Sequence, residues 1–279
     1  MARVFDHHEF SIGWLPTNSK WKNLRKACAT QIFATQRLDA TQALRQTKVQ
    51  ELIDHVNQSC QSGSPIDIGR VVFTTVLNSI SSTFFSMDLA QYDSNLSQEF
   101  RDIVCGVAEE AGRPNIADYF PALRLIDPQG VRKRTRIYYT KIFGILDGII
   151  KQRLQLRAPS KGSKAGNDVL DSLLSFIEEA NSEISLLDIK HLLMEMNKMQ
   201  DIDFEDQDFE LIPFRARRRI FLGLPLTNRM VHLMLASLVH YFAWKLPNEI
   251  RPEDMDMGET FGLTLHRAMP LQVIPIKSL

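Results

Sequence analysis

The sequence is short of several things, and each shortage closes a class of function. It has only three cysteines, Cys28, Cys60 and Cys105, and they are widely separated. No C-x-x-C pair occurs, so neither a zinc site nor a disulfide framework is indicated. A reducing, intracellular location is the default expectation. Net charge is also missing. The 279 residues carry 33 basic and 33 acidic side chains, and a general polyanion binder usually has a clear basic excess. Long apolar runs are absent too. No stretch of about 18 consecutive apolar residues occurs, so no transmembrane helix or membrane anchor is expected in this chain. The opening MARVFDHHEF is charged and lacks the apolar core of a signal peptide.

What is present is 44% hydrophobic residues, enough for a globular core. The apolar spacing is mostly helical. A helix is expected over 19–34, with Ser19 at its N-cap. A second begins near Asp39 and places Leu44, Leu52, Ile53 and Val56 on one face. SGSP at 62–65 ends it, and Asp67 caps a third that carries Val71, Val72, Val76, Leu77 and Ile80. Helices follow over 96–111, 131–157, 167–180 and 186–199, with a Pro- and Gly-punctuated connection at 112–130. SKGSKAG at 160–166 reads as a flexible linker. Pro225 opens an apolar helix to Trp244. The end, FGLTLHRAMPLQVIPI (261–276), reads as a β-hairpin. No internal repeat is visible.

Several stretches resemble one family. WKNLR (21–25) has the W-x-x-x-R form of the C helix of cytochrome P-450 enzymes, the haem-thiolate monooxygenases. PALRLIDPQGVRKR (121–134) is similar to the loop before the G helix in plant microsomal members. DFELIPF (208–214) and GLPLTNRMVHLMLASLVHYFAWKL (223–246) resemble the haem loop and L helix, and EDMDMGETFGLTLHRAMPLQVIPI (253–276) the C-terminal end. The nearest branch is the plant terpenoid hydroxylases of the geraniol 8-hydroxylase and ferruginol synthase type. The resemblance implies a mainly α, cytochrome P-450-like helical fold with a small C-terminal β-hairpin. It also implies one partial domain over 1–279: a C to H helix region at 1–194, a junction at 195–207, and the haem loop, L helix and β region at 208–279.

The resemblance assigns roles residue by residue. Trp21, Arg25 and Arg219 match haem propionate partners. Phe10 and Ile12, within HEFSIGW (8–14), and Phe261 and Leu263 match substrate-facing positions. Haem, an NADPH-cytochrome reductase partner, a small apolar substrate and an endoplasmic reticulum membrane location are implied for the family. For this chain, which shows no anchor, a cytoplasmic location or none that can be named is expected. No nucleic-acid partner is implied.

Two departures stand out. The family's haem loop reads F-x-x-G-x-R-x-C-x-G, and here Phe214, Arg219 and Gly223 keep their places. The glycine between Phe214 and Arg219 in the pattern has become Arg217, and the cysteine has become Phe221. The arginine cluster 215–219, which could also be an import signal, thus resembles a cofactor loop with small residues replaced. The other departure is internal. After HLLM (191–194) the chain runs through EMNKMQ to the approach of that loop. The family's central I helix with A-G-x-D/E-T, its K helix with E-x-x-R and its P-E-R-F segment do not intervene. Loss of that block is expected to leave apolar faces on the helices at 67–84 and 225–244 without partners. The basic helix at 131–157 reads either as a solvated amphipathic helix or as a membrane- or reductase-facing surface. The resemblance therefore implies a monooxygenase by descent. The departures imply a chain that does not catalyse, acting at most as an apolar-ligand or partner-binding protein.

Overall fold

The structure, a computed structural model, describes residues 4–92, 95–157, 168–179, 184–196, 222–260 and 266–278. Ten α-helices and five short strands lie within them. The chain divides into two compact units. The first comprises Met1–Ala27, Gln98–Met199 and Glu259–His266; the second comprises Cys28–Ser97, Gln200–Gly258 and Arg267–Leu279.

The first unit is built on α7, Val131–Arg157. Its buried residues are Val131, Thr135, Tyr139, Ile142, Phe143, Leu146 and Ile150. Those three- and four-residue steps place one stripe inward. Helix α8 (Val169–Glu179) adds Leu170 and Leu173, and α9 (Leu186–Met196) adds Ile189, Leu192 and Leu193. Helix α5 (Asn95–Gly112) contributes Ile103, Val104 and Val107. Helix α1 (Ser19–Ala27) buries Trp21, Leu24 and Ala27.

Two ionic clamps join these helices. Glu110 on α5 is buried and accepts from Arg134 Nε and Nη2 at 2.7 and 3.0 Å. The second clamp joins α7 to the start of α8. Arg153 Nη2 lies 2.7 Å from Asp168 Oδ2, and its Nη1 contacts Asp171. Asp168 also accepts from the Asp171 N–H at 3.0 Å, which caps the helix. Burial pushes the Asp171 carboxyl above the usual range even with Arg153 beside it.

The second unit packs α3 (Gln42–Ser62), α4 (Ile68–Phe85) and α10 (Leu224–Tyr241) around one core. Val49, Leu52 and Val56 meet Val71, Met230, Met234, Leu238, Phe242 and Val273 there. Helix α3 ends at Gly63, whose φ of 65° lets its N–H and that of Ser64 return to Cys60 and Ser59 carbonyls. Asp67 caps α4 as expected, accepting from the Arg70 N–H at 3.0 Å. A three-stranded antiparallel sheet, β1 (Ile66–Asp67), β5 (Gln272–Lys277) and β2 (Phe242–Lys245), closes the unit with β5 in the middle. Pro275 is tolerated in that central strand because β1 reaches only Gln272 and Val273.

Several sequence expectations need correcting. The N-cap of α1 is Asn18, whose Oδ1 accepts from the Trp21 N–H at 2.9 Å, rather than Ser19. The helix expected over 19–34 stops at Ala27 and widens into a π turn, Cys28–Ile32, with the Phe33 N–H on the Cys28 carbonyl. The helix expected from Asp39 begins at Gln42, after the short α2, Thr35–Ala40. The helix expected to reach Trp244 ends at Tyr241. Phe242 turns to extended φ/ψ because its backbone and that of the next three residues pair with β5. The hairpin expected over 261–276 is not the arrangement found. Gln272–Lys277 pairs with Ile66–Asp67 and Phe242–Lys245, and the small ladder nearby joins β3 (Glu259–Thr260) to β4 (His266–Arg267). Local alternation cannot name a partner strand more than two hundred residues away.

Of the two helices expected to expose apolar faces, only α10 does so, through Leu235 and Val239 at 57% and 64%. The large apolar residues of α4 are buried or half-buried. A further exposed apolar group lies at Tyr119, Phe120, Leu125 and Ile126, before α7. Among the described residues no helix is long and apolar enough to cross a membrane.

Candidate functional site

The sequence-nominated residues that the structure describes gather in the first unit, where residues 4–15 lie against α7 and α9. The turn Val4–Glu9 holds Phe5 and Asp6 at positive φ, 53° and 52°, which non-glycine residues rarely adopt. That turn aims Val4 and His7 inward and sets the Phe5 ring edge-on to Phe143 at 5.6 Å.

His7 and His191 are each 1% exposed, and their Nδ1 atoms lie 2.8 Å apart. One nitrogen must carry the proton and the other accept it. Phe10 stacks on His191 at 4.9 Å, with Phe143 edge-on to the same imidazole at 4.9 Å. The ammonium of Lys20 sits 4.2 Å from the centre of the Phe10 ring and 2.7 Å from Asp188 Oδ1. Phe10 is therefore fixed between a ring and a cation. Tyr139 is fully buried and lies edge-on to His7 at 5.3 Å. Burial, aided by the Glu195 charge, pushes its phenol well above its ordinary value, so it stays neutral.

Ile12 is held from two sides. Its carbonyl accepts from Trp21 Nε1 at 3.1 Å, and its N–H donates to Glu195 Oε2 at 2.8 Å. Glu195 Oε1 accepts from the Gly13 N–H at 3.1 Å and from the Ser11 hydroxyl. Trp21 is 5% exposed, and the Arg25 guanidinium lies 5.0 Å from its ring centre.

The structure thus brings Phe10, Ile12, Trp21 and Arg25 into one unit, with Trp21 and Ile12 in direct contact. Arg219, Phe221, Phe261 and Leu263 lie outside the described residues. Sequence reasoning missed His7, His191, Lys20, Asp188 and Glu195. A signal was available: Asp188, His191 and Glu195 recur at three- and four-residue steps on the face of α9 that also carries Leu192. Polar side chains on a buried stripe call for partners on another element. It also overlooked an E-x-x-R spacing, from Glu110 near the end of α5 to Arg113 just beyond it; Glu110 pairs with Arg113 at 3.4 Å and forms the clamp to Arg134.

Comparison with known proteins identifies the family. The family model described as "Cytochrome P450" matches residues 4–200. Cytochrome P450 76T24 of Catharanthus roseus is 33% identical over 393 residues, covering 99% of this chain and 79% of that protein. Geraniol 8-hydroxylase of Swertia mussotii is 33% identical over 386 residues, covering 96% of this chain and 77% of its own. Sugiol synthase of Salvia miltiorrhiza is 27% identical, covering 98% of this chain and 79% of its own. The matched stretch in the first relative is 393 residues long, against 279 residues in this chain, so the excess falls opposite gaps here. On the family match and these identities, the chain belongs to the cytochrome P450 family.

Proposed function

We propose that this chain is a monooxygenase-family protein of the plant terpenoid-hydroxylase branch that no longer catalyses, and that retains part of a wall for a small apolar ligand. The observation that carries the first half is residue 221. A haem-thiolate enzyme needs a thiolate as axial iron ligand, because it pushes electron density onto iron and favours O–O cleavage. Phenylalanine has no donor atom. His232, the nearest histidine downstream, is about three helical turns further on, and its Nδ1 lies 2.7 Å from the Asn228 carbonyl oxygen.

The residues present do not fit the family's haem well in other respects. The indole N–H of Trp21 is engaged by the Ile12 carbonyl, and Arg25 lies against the Trp21 ring. Arg217 replaces a glycine whose small size lets the backbone approach a cofactor closely. Arg219 is read as an inherited propionate partner only. No catalytic step is assigned to this chain. The domain reading remains one partial domain, with 195–207 as the junction where the oxygen-activating helix would continue.

The second half rests on Phe10 and Ile12, both half-buried. They are read as ligand-facing, with Phe261 and Leu263 as further wall positions. Two relatives are named for geraniol hydroxylation, so a monoterpene alcohol is the ligand class proposed. The family's reductase partner has no electron-accepting centre to serve in this reading. A membrane-surface location is supported by exposed Tyr119, Phe120, Leu125 and Ile126.

The test is a reduced, carbon-monoxide difference spectrum of purified protein reconstituted with haem. No thiolate-type Soret band is expected, and Phe221→Cys alone is expected not to give turnover. A normal thiolate band in the unaltered chain overturns the reading and restores the active monooxygenase as the better one.

A further inference from the structure

We propose that Glu195 is the positioning residue for the ligand-facing wall, fixing Ile12 next to the His191-held Phe10 by gathering the three donors of residues 11–13 onto one carboxylate. This rests on the reading of Phe10 and Ile12 as ligand-facing.

Three donors converge from one short stretch. The Ile12 N–H reaches Oε2 at 2.8 Å, the Gly13 N–H reaches Oε1 at 3.1 Å, and the Ser11 hydroxyl donates to Oε1. Two successive backbone N–H groups aimed at one anion form a concave nest. Ser11 is fully buried; its hydroxyl donates to Glu195 and accepts from the Gly13 N–H at 3.2 Å. Hydrogen bonds to an ionised acceptor are shorter and stronger than neutral ones.

The nest is built for close approach. A Cβ placed on Gly13 would come within 3.0 Å of Glu195 Oε1 and 3.5 Å of Ser11 Oγ. Any side chain at 13 would press the carboxylate outward. On the opposite side of Ile12, Trp21 holds the carbonyl. The peptide groups around Ile12 are thereby fixed at both ends, which sets the direction of its side chain. His191, one helical turn before Glu195, stacks on Phe10. A single face of α9 therefore fixes both wall residues, the first through a ring and the second through a carboxylate.

The carboxylate is the element that can be removed without emptying a core. Glu195→Gln keeps the length and one acceptor oxygen, but it turns an N–H₂ donor towards donors. Gly13→Ala attacks the same contact from the other side. The experiment uses the full chain in two arms. Hydrogen exchange of peptides covering 10–15 reads the positioning, and geraniol affinity, followed by tryptophan fluorescence, reads the wall.

Both variants are expected to speed exchange at Ile12 and Gly13 while the thermal midpoint stays within a few degrees. The double variant is expected to be no worse than the more affected single, since both remove one contact. Geraniol affinity is expected to fall about tenfold or more in Glu195→Gln, a loss of the size that hydrogen bonds to a charged group carry. Unchanged exchange in both variants overturns the proposal. So does faster exchange with unchanged geraniol affinity, which would show that residues 10–13 are held but do not face the ligand. If the unaltered chain binds no geraniol, the ligand reading above fails on its own, and the wall role of Glu195 falls with it. The exchange arm then still decides whether Glu195 fixes residues 11–13.

Discussion

Replacing Arg153 with methionine is expected to destabilise the first unit by about 3–5 kcal/mol at neutral pH, the cost of leaving buried charge uncompensated. The side chains of Asp168 and Asp171 are only 4% and 5% exposed. Arg153 is 13% exposed and touches both. Arg157 compensates only in part. Its Nε is 3.9 Å from Asp171 Oδ1, and its Nη2 is engaged by Ser175 Oγ at 2.8 Å and Glu178 at 3.2 Å. Methionine keeps most of the aliphatic stem, so the loss is mainly of charge. Against a net stability of about 5–15 kcal/mol the effect is large, and urea unfolding followed by far-ultraviolet circular dichroism should show it.

The penalty should depend on pH with a definite sign. Burial already holds the Asp171 carboxyl above its ordinary value, and Arg153 opposes that rise. Removing Arg153 lets it rise further. A carboxyl whose folded pKa exceeds its unfolded one contributes stability that is present below the unfolded value and is lost as pH rises through the folded value. The Arg153→Met penalty is therefore largest near pH 7 and shrinks as pH falls towards 4. Replacing Asp171 with leucine and Asp168 with asparagine in the same chain should recover part of the loss, because asparagine still caps α8. A single-variant penalty under about 1 kcal/mol, or one that grows on acidification, would refute the buried-clamp argument.

Three further outcomes can be checked. Leu52→Ala, at a fully buried position in the second unit, should cost about 2–5 kcal/mol, with unfolding of that unit read by the Trp244 signal. Burial pushes the Tyr92 hydroxyl up to about 12. Its raised value contributes stability below pH 10 that disappears between 10 and 12, so unaltered protein and Tyr92→Phe should converge in stability across that window. Exposed Leu235 and Val239 on α10 should bind a hydrophobic dye before unfolding. Leu235→Ser/Val239→Ser should reduce that signal without lowering the melting temperature, and an unchanged signal would place the dye elsewhere.

Helices were legible where the apolar stripe was long and the caps were chemically explicit. Val131–Arg157 follows from seven inward residues at helical steps, and the start of α4 follows from Asp67. Errors fell at ends and in strands. Ser19 and Asn18 are both good cap residues, and only the geometry of the Trp21 N–H chooses between them. Phe242–Lys245 continues an apolar helical run in sequence. It becomes a strand because Ile274–Lys277 lies beside it, and no local pattern carries that information. The mainly α class was legible, while the topology of the small sheet was not.

The candidate site divides differently. Trp21, Arg25, Phe10 and Ile12 were named from resemblance, and the structure shows what each of them touches. In the motif, Trp21 and Arg25 are a pair directed at an acidic group. In this chain the indole N–H is bonded to Ile12, and the guanidinium rests on the indole ring. A side chain whose donor already has a neutral carbonyl partner must give up that bond to hold an anion. Glu195 was overlooked for a related reason, although its spacing from Asp188 and His191 was readable. A single glutamate in a helix reads as a solvated face, and only its three donors, drawn from residues about 180 positions away, turn it into an organising group. Trp21 is thus engaged with Ile12 and Arg25, and Glu195 on α9 accepts the hydroxyl and the two N–H groups that keep residues 11–13 in place.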